Sequence, residues 1–249
     1  MKKHFMILAL LGAASAGVYL VAATLVFPLS LMYANPPLTI DRGLFSHSSV
    51  LSLAAGMVAL FILYGFACRI AMRAGRERGT FHIVLGFGAL FAAIVTFAYP
   101  LTSTDIYGYF FFGRILEHYH LNPLITAPAM LPQDPLMAYA PWPDAPYPYG
   151  PVWALLSAVL SRVAGDDLLV GLLLFKLLQA ATYLATTGLI YHILRGHGDY
   201  PPAAGALLFA WNPLVLLELV GNGHNDGLVA LLLVSAVWVT LEDRGKWGI

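Results

Sequence analysis

Residues 81–100 read FHIVLGFGALFAAIVTFAYP, with no Asp, Glu, Lys or Arg anywhere in the run. A helix of that length covers the roughly 30 Å of hydrocarbon in a bilayer. Comparable runs lie at Phe5 to Met32, Val50 to Ile70 and Leu168 to Leu194, the last of which contains Lys176. The stretch from Pro202 to Asp226 and then Gly227 to Leu241 reads as two shorter spans, divided by Gly221-Asn222-Gly223-His224-Asn225-Asp226. The pattern predicts an all-α, polytopic membrane protein of about six transmembrane helices, with residues 1–249 forming a single integral membrane domain. The first run follows Lys2-Lys3 as a signal peptide would. Its apolar core is too long and no small-residue cleavage site ends it, so it reads as a retained anchor.

Composition agrees: 59% of the 249 residues are hydrophobic and 10% charged, with a mean hydropathy of +0.76. A soluble domain of this length could not cover so much apolar surface. The 13 Lys and Arg balance 13 Asp and Glu, which gives no argument for nucleic acid as a partner. The single cysteine, Cys68, lies in an apolar run and excludes an intrachain disulfide.

Orientation follows from the basic residues of the short loops. With the N-terminus inside, Lys2, Lys3, Arg69, Arg73, Arg76, Arg78, Arg195, Arg244 and Lys246 are cytoplasmic, whereas only Arg42, Arg114 and Arg162 are outside. The outer segments also hold Asp41, Asp105, Glu117, Asp134, Asp144, Asp166, Asp167 and Asp226. This topology treats Pro151 to Val163 as a short helix at the outer surface, too short to cross comfortably. The one long hydrophilic feature is therefore an outer loop over about 101–167. Its middle, Asn122 to Pro151, is rich in Pro and Tyr and reads as irregular.

The polar chemistry collects on that face. Asp105, just past the third span, could take a proton from a hydroxyl nucleophile as a general base, or could serve only the start of the helix that follows. His224-Asn225-Asp226 at the next outer turn admits the same two readings, and as a metal site it is weak. Lys176, roughly 13 Å below the outer edge by helical rise, is an intramembrane charge that could bind an anionic lipid head, pair with Glu218 or snorkel outward. Arg114 falls on the face opposite Asp105 and reads most simply as a surface pair with Glu117 or His118, with phosphate contact the alternative. Tyr107, Tyr109, Tyr119, Tyr139, Trp142, Tyr147, Tyr149 and Trp153 could stack on sugar rings, although an interfacial aromatic belt has the same composition and is the better reading for most of them.

The order of these features carries a resemblance. Asp105-Ile106-Tyr107-Gly108-Tyr109 is followed by a Pro-rich loop and by Tyr149-Gly150-Pro151-Val152-Trp153. Trp211-Asn212-Pro213-Leu214 and Gly223-His224-Asn225-Asp226 come next. Over roughly Ala98 to Val239 the chain resembles the bacterial polyprenol-phosphate-mannose-dependent mannosyltransferases of the GT-C superfamily, particularly the α-1,6-mannosyltransferases. The resemblance implies the N-terminal part of a GT-C-type module in the bacterial plasma membrane, with its active face periplasmic or extracellular. It also implies transfer of a sugar, mannose by the family, from a polyprenyl-phosphate donor to a hydroxyl of a glycolipid or glycan. Asp105 is then the base. His224, Asn225 and Asp226 form the second polar cluster; Lys176, Arg114 and Arg162 are the phosphate candidates, and Tyr109 a further binding residue. No metal or cofactor is expected; the partners are donor, acceptor and membrane lipids. Two spans precede the one leading to Asp105, where the simplest family layout has one, and the family's enzymes are longer, which predicts an incomplete chain. A transporter or flippase of lipid-linked sugar, or an inactive scaffold, is the rival. The absence of a visible inverted repeat weighs against the transporter.

Overall fold

The computed structural model describes residues 3–33, 45–197 and 199–247, the last five as helix backbone only. Lys2, Asp41, Arg42 and the side chains of Arg244 and Lys246 therefore lie outside the described residues. Among those described the protein is helical, and its one strand-like contact is an isolated bridge between Pro28 and Ala98.

Among the described residues, four helices are long and apolar enough to cross a membrane. They are Lys3–Leu25 (α1, Lys3–Val18, continued by a π turn), α2 (His47–Arg73), α3 (Arg78–Thr96) and α6 (Leu168–His197). A fifth arises if α7 (Pro202–Ala210) and the pair formed by α8 (Pro213–Leu216) with its π turn to Gly221 count as one span bent by 53°. The six crossings expected from sequence are thus not reproduced. Trp211-Asn212-Pro213 breaks the run that opens at Pro202, because Pro213 cannot continue the ladder of α7. Asn212 then recaps the chain, its Oδ1 accepting the Leu214 amide at 3.0 Å. The last helix, α9 (Asp226–Trp247), covers the expected sixth crossing but carries Glu242-Asp243-Arg244 close to its C-terminal end and is not among the apolar four.

Packing gathers the basic residues at one end of this bundle. His4 meets Glu77 at 3.3 Å, Arg76 donates to the Arg195 carbonyl at 2.7 Å, and Phe81 stacks on Tyr191 at 3.7 Å. The termini of α1, α2, α3 and α6 that carry Lys3, Arg73, Arg78 and Arg195 are thereby neighbours. At the opposite end the chain leaving α1 is stitched to the end of α3: the Leu29 amide donates to Phe97 O at 2.9 Å and the Tyr99 amide to Phe27 O at 2.8 Å. Asp105 follows directly from this stitch.

Two apolar clusters result. One lies among the spans, around Phe91, Tyr183, Trp211 and Val220. The other lies at the Asp105 end, around α4 (Asp105–Glu117) and α5 (Pro151–Ala164). Every residue of α4 from Ile106 to Ile115 is buried, as expected of a helix that is apolar all round. The small face of α5, with Ala154, Ser157, Ala158 and Ser161, packs against it. Gly113 permits the approach, since a Cβ there would lie 2.4 Å from the Ser157 carbonyl oxygen. The connecting residues 118–150 hold only single 3-10 turns at Pro128–Met130 and Met137–Tyr139, as the Pro content predicts. The helix after Asp105 stops at Glu117, and His120 adopts a left-handed φ of 55°.

Candidate active site

Asp105 opens α4, and Ser103 Oγ, not the Asp105 side chain, accepts the Asp105 amide at 3.0 Å. Thr104 is the N-cap and makes no side-chain cap bond. The described bond of the Asp105 carboxylate is instead to Tyr149, whose hydroxyl donates to Oδ2 at 2.5 Å. The carboxylate makes no described cap bond, although it stands in the first turn of α4, where an acidic group meets the helix dipole favourably. Tyr149 comes from the end of the Pro-rich loop, where Gly150 and Pro151 turn the chain into α5. Burial first, and then the hydrogen bond to Asp105, push the Tyr149 hydroxyl above the ordinary tyrosine range, so it stays a donor.

One turn along α4, the Tyr109 ring packs edge-on against Tyr149 at 5.1 Å and against Trp153 at 5.2 Å. Its hydroxyl donates to Asn225 Oδ1 at 3.2 Å. Burial leads, followed by Tyr149 and Asp105, in raising the Tyr109 hydroxyl as well. The sequence's two outer polar clusters thus meet through Asp105, Tyr149, Tyr109 and Asn225, with Asp226 exposed beside them. The turn that presents Asn225 depends on Gly223 at φ 75°, where a Cβ would also strike Ile106 at 2.5 Å.

Glu218 organises the rear of this turn. Its carboxylate accepts Thr102 Oγ1 at 3.1 Å and Asn222 Nδ2 at 2.8 Å, and lies 3.3 Å from His224 Nδ1. The Thr102 amide donates to Asn222 Oδ1 at 3.3 Å. Beside the cluster an apolar groove of about 290 Å³ runs between the start of α5 and α9, lined by Pro151, Val152, Trp153, Asn225, Leu228 and Leu232.

The three cations fare differently. Arg114 is not on the surface with Glu117 or His118: it is buried, with its Nε and Nη2 on Asp134 Oδ2 at 3.2 and 3.0 Å. Its Nη1 reaches Asp166 Oδ1 at 2.7 Å and the Gly165 carbonyl at 2.8 Å. Burial opposes its charge, but the bonds and charges of Asp166 and Asp134 win and raise its pKa. Asp134 accepts Tyr119 and the Leu136 amide besides, so Arg114 clasps the Pro-rich loop to the α5–α6 corner. Arg162 is exposed on the last turn of α5, about 16 Å from Pro151 by helical rise. Lys176 is fully buried and does not pair with Glu218; it donates to the carbonyls of Ala98, at 2.8 Å, and Gly221. None of the three joins the Asp105 cluster by a described hydrogen bond. No group of His, Cys, Asp and Glu suited to a metal occurs among the described residues.

Tyr107, Tyr109, Tyr147 and Trp153 are at most 5% exposed and form the core of the α4–α5 layer rather than an interfacial belt. That core is shared with the start of α6, through Leu168, Leu172 and Phe175. Sequence reasoning gave no particular role to Tyr149, Asn222 or Asp134. The signal for Tyr149 was its place in Tyr149-Gly150-Pro151, next to the start of a helix.

The chain matches, over residues 5–249, the family described as alpha-(1->6)-mannopyranosyltransferase, N-terminal domain. Among curated proteins it is similar to alpha-(1->6)-mannopyranosyltransferase A of Corynebacterium glutamicum, at 27% identity over 64% of this chain and 33% of that protein. It is also similar to alpha-(1->6)-mannopyranosyltransferase A of Mycobacterium tuberculosis, at 30% identity over 60% of this chain and 29% of that protein. Alpha-(1->6)-mannopyranosyltransferase B of Corynebacterium glutamicum is 30% identical over 65% of this chain and 28% of its own length. The chain spans about a third or less of the length of these relatives. No solved structure matches it.

Proposed function

We propose a function from one premise: the chain belongs to the alpha-(1->6)-mannopyranosyltransferase family. In this reading the protein transfers mannose from a polyprenyl-phosphate donor to a hydroxyl of a glycolipid or glycan, at the outer face of a bacterial plasma membrane that it crosses several times. Asp105 takes the proton from the acceptor hydroxyl as that oxygen attacks the anomeric carbon. The bond from this carbon to the phosphate oxygen breaks, and the polyprenyl phosphate leaves with the electron pair. Tyr149 holds the carboxylate by one oxygen and leaves the other for the acceptor. The groove beside Asn225 takes the start of the polyprenyl chain, and His224, Asn225 and Asp226 face the sugar and its phosphate, with Tyr109 fixing Asn225. Arg162, the exposed cation, lies where a lipid phosphate or a distal part of the acceptor would pass.

The observation that carries this reading is the partner of Asp105. A half-buried carboxylate bonded to a phenol through Oδ2, with no cation or helix amide among its described hydrogen bonds, has its other oxygen placed to meet an acceptor hydroxyl. Gathering the described basic termini at the opposite end of the bundle supports the outward placement of the site.

The test is Asp105→Asn in membranes, following radiolabelled mannose from polyprenyl phosphomannose into glycolipid, with protein level in the membrane fraction as control. Loss of a general base lowers transfer on the order of 100-fold or more. Near-normal transfer overturns the assignment.

A further inference from the structure

Lys176 sits in the third turn of α6 with no exposed surface, and its described partners are two main-chain carbonyls rather than a carboxylate. Each carbonyl lies where the chain leaves a helical segment. Ala98 O lies just beyond the last turn of α3, where the Ala98 amide closes a three-residue turn onto Val95 O at 3.0 Å. Gly221 O ends the π turn after α8, where the Asn222 amide closes onto Leu217 O at 2.8 Å. Gly221 O is a terminal acceptor that its own turn cannot satisfy internally, and Ala98 O lies in the turn that leaves α3, two residues past its last residue, Thr96. Buried between α3, α6 and the 217–221 turn, neither can turn to water. The Lys176 ammonium fills both positions at once.

What leaves each carbonyl is a functional loop. Ala98 leads through Tyr99-Pro100 and Thr102 to Asp105, and Gly221 leads through Asn222 to Asn225 and Asp226. One atom, Nζ, therefore sets the separation of the two strands of chain that carry the site. The bonds of Thr102 to Asn222 and Glu218, and of Tyr109 to Asn225, continue the same seam outward. We propose that Lys176 is a positioning residue, a double helix-end clamp that sets Asp105 against Asn225 and Asp226, and that it does not contact the donor phosphate. The inference rests on the proposed transfer reaction for its catalytic consequence, but the clamp itself can be read without turnover.

The experiment compares Lys176→Met, which keeps length and removes every donor, with Lys176→Gln, whose amide can still donate to the carbonyls without a charge. Amide hydrogen exchange and transfer kinetics are measured on both. A clamp predicts faster exchange in residues 99–105 and 222–227 together in the methionine variant, with α5 unchanged. It also predicts a fall in kcat on the order of 100-fold, the scale of an ångström-sized misplacement, at little change in the KM for polyprenyl phosphomannose. The glutamine variant recovers part of both. Should Lys176→Met fail to accumulate, the glutamine variant carries the test, through partial loss of kcat at unchanged KM and intermediate exchange in both loops. Unchanged exchange, faster exchange in one loop only, or a raised KM at constant kcat in both variants overturns the clamp, the last in favour of a phosphate ligand. Failure of Asp105→Asn to lower transfer would remove Asp105 as base and leave the exchange result standing.

Discussion

The Tyr149 hydroxyl donates a 2.5 Å hydrogen bond to the Asp105 carboxylate across 44 residues of chain, and almost everything else in the α4–α5 layer serves to keep that pair together. Tyr149 reaches Asp105 only because residues 118–148 fold back over α4, a path held by the Arg114 clasp at one end and by the close α4–α5 packing at the other. The two ends of the loop are thus fixed by different physics, buried charge and steric fit, and each can be altered separately.

Tyr149→Phe keeps the ring contacts with Tyr109 and Tyr147 and removes the hydroxyl that donates to Asp105 and also meets the Tyr109 hydroxyl. A hydrogen bond to a charged group contributes about 1.5–3 kcal/mol, so transfer is expected to fall by roughly ten- to a hundredfold at wild-type membrane levels. Because the Tyr149 hydroxyl titrates above the ordinary tyrosine value of about 10, it remains protonated as pH rises through that value. Activity of the wild type should therefore show no loss near pH 10 from this group. A Tyr149→Phe enzyme with unaltered transfer rate would leave the pair without a catalytic role.

Arg114→Met leaves Asp134 buried with its main cation gone, which for a buried pair costs about 3–5 kcal/mol. Thermal unfolding and limited proteolysis within residues 118–150 should both show it. Adding Asp134→Asn to the same chain removes the stranded charge while keeping an acceptor for the Leu136 amide, and should restore part of the loss. If the single variant resisted heat and protease as the wild type does, Arg114 would not be clasping the loop.

The sequence declares the long spans because their cause is local: an uninterrupted apolar run needs no partner to be recognised, and the ends of α2, α3 and α6 fall within a few residues of the runs that predict them. Asp105 and His224-Asn225-Asp226 were legible for a related reason, being polar residues stranded where spans end. What was not legible is whatever depends on contact between distant segments. Arg114 reads as a solvent-facing member of α4 until the Pro-rich loop covers it, and Lys176 reads as half of an ion pair with Glu218 because a sequence does not reveal where helix-end carbonyls will lie. The break at Trp211-Asn212-Pro213, inside a stretch that reads as one span, belongs to the same class. Its Pro is visible, but the 53° bend there is held by tertiary bonds, among them Trp211 Nε1 to Val84 O at 2.9 Å.

Gly113→Ala tests the steric half of the arrangement. The added Cβ would lie 2.2 Å from Ser161 Oγ and 2.4 Å from the Ser157 carbonyl. The hydroxyl can rotate away, but the backbone oxygen can yield only if α5 shifts. Overpacking of this kind typically costs about 1–3 kcal/mol, read as a lower unfolding temperature. Because α5 begins two residues after Tyr149, transfer should fall further than stability alone explains. Serine at the same position should be no better, since it adds the same Cβ.

The outward placement of the site can be examined without any turnover. Arg73, at the end of α2, and Asp144, in the loop over α4, are both exposed and lie at opposite ends of the bundle, with the α3 span between them. Cys68 is the only cysteine, so a Cys68→Ala background accepts one new thiol at a time. The excess of Lys and Arg at the Arg73 end predicts that end to be cytoplasmic. An impermeant maleimide should then label the Asp144→Cys protein in intact cells and the Arg73→Cys protein only after permeabilisation. The reverse pattern would move Asp105 to the cytoplasmic face and remove the proposed outer-face reaction with it. Labelling of both variants from the same side would be a different result: two sites at opposite ends of α3 cannot share a side if α3 crosses the membrane, so the span itself would have to be given up.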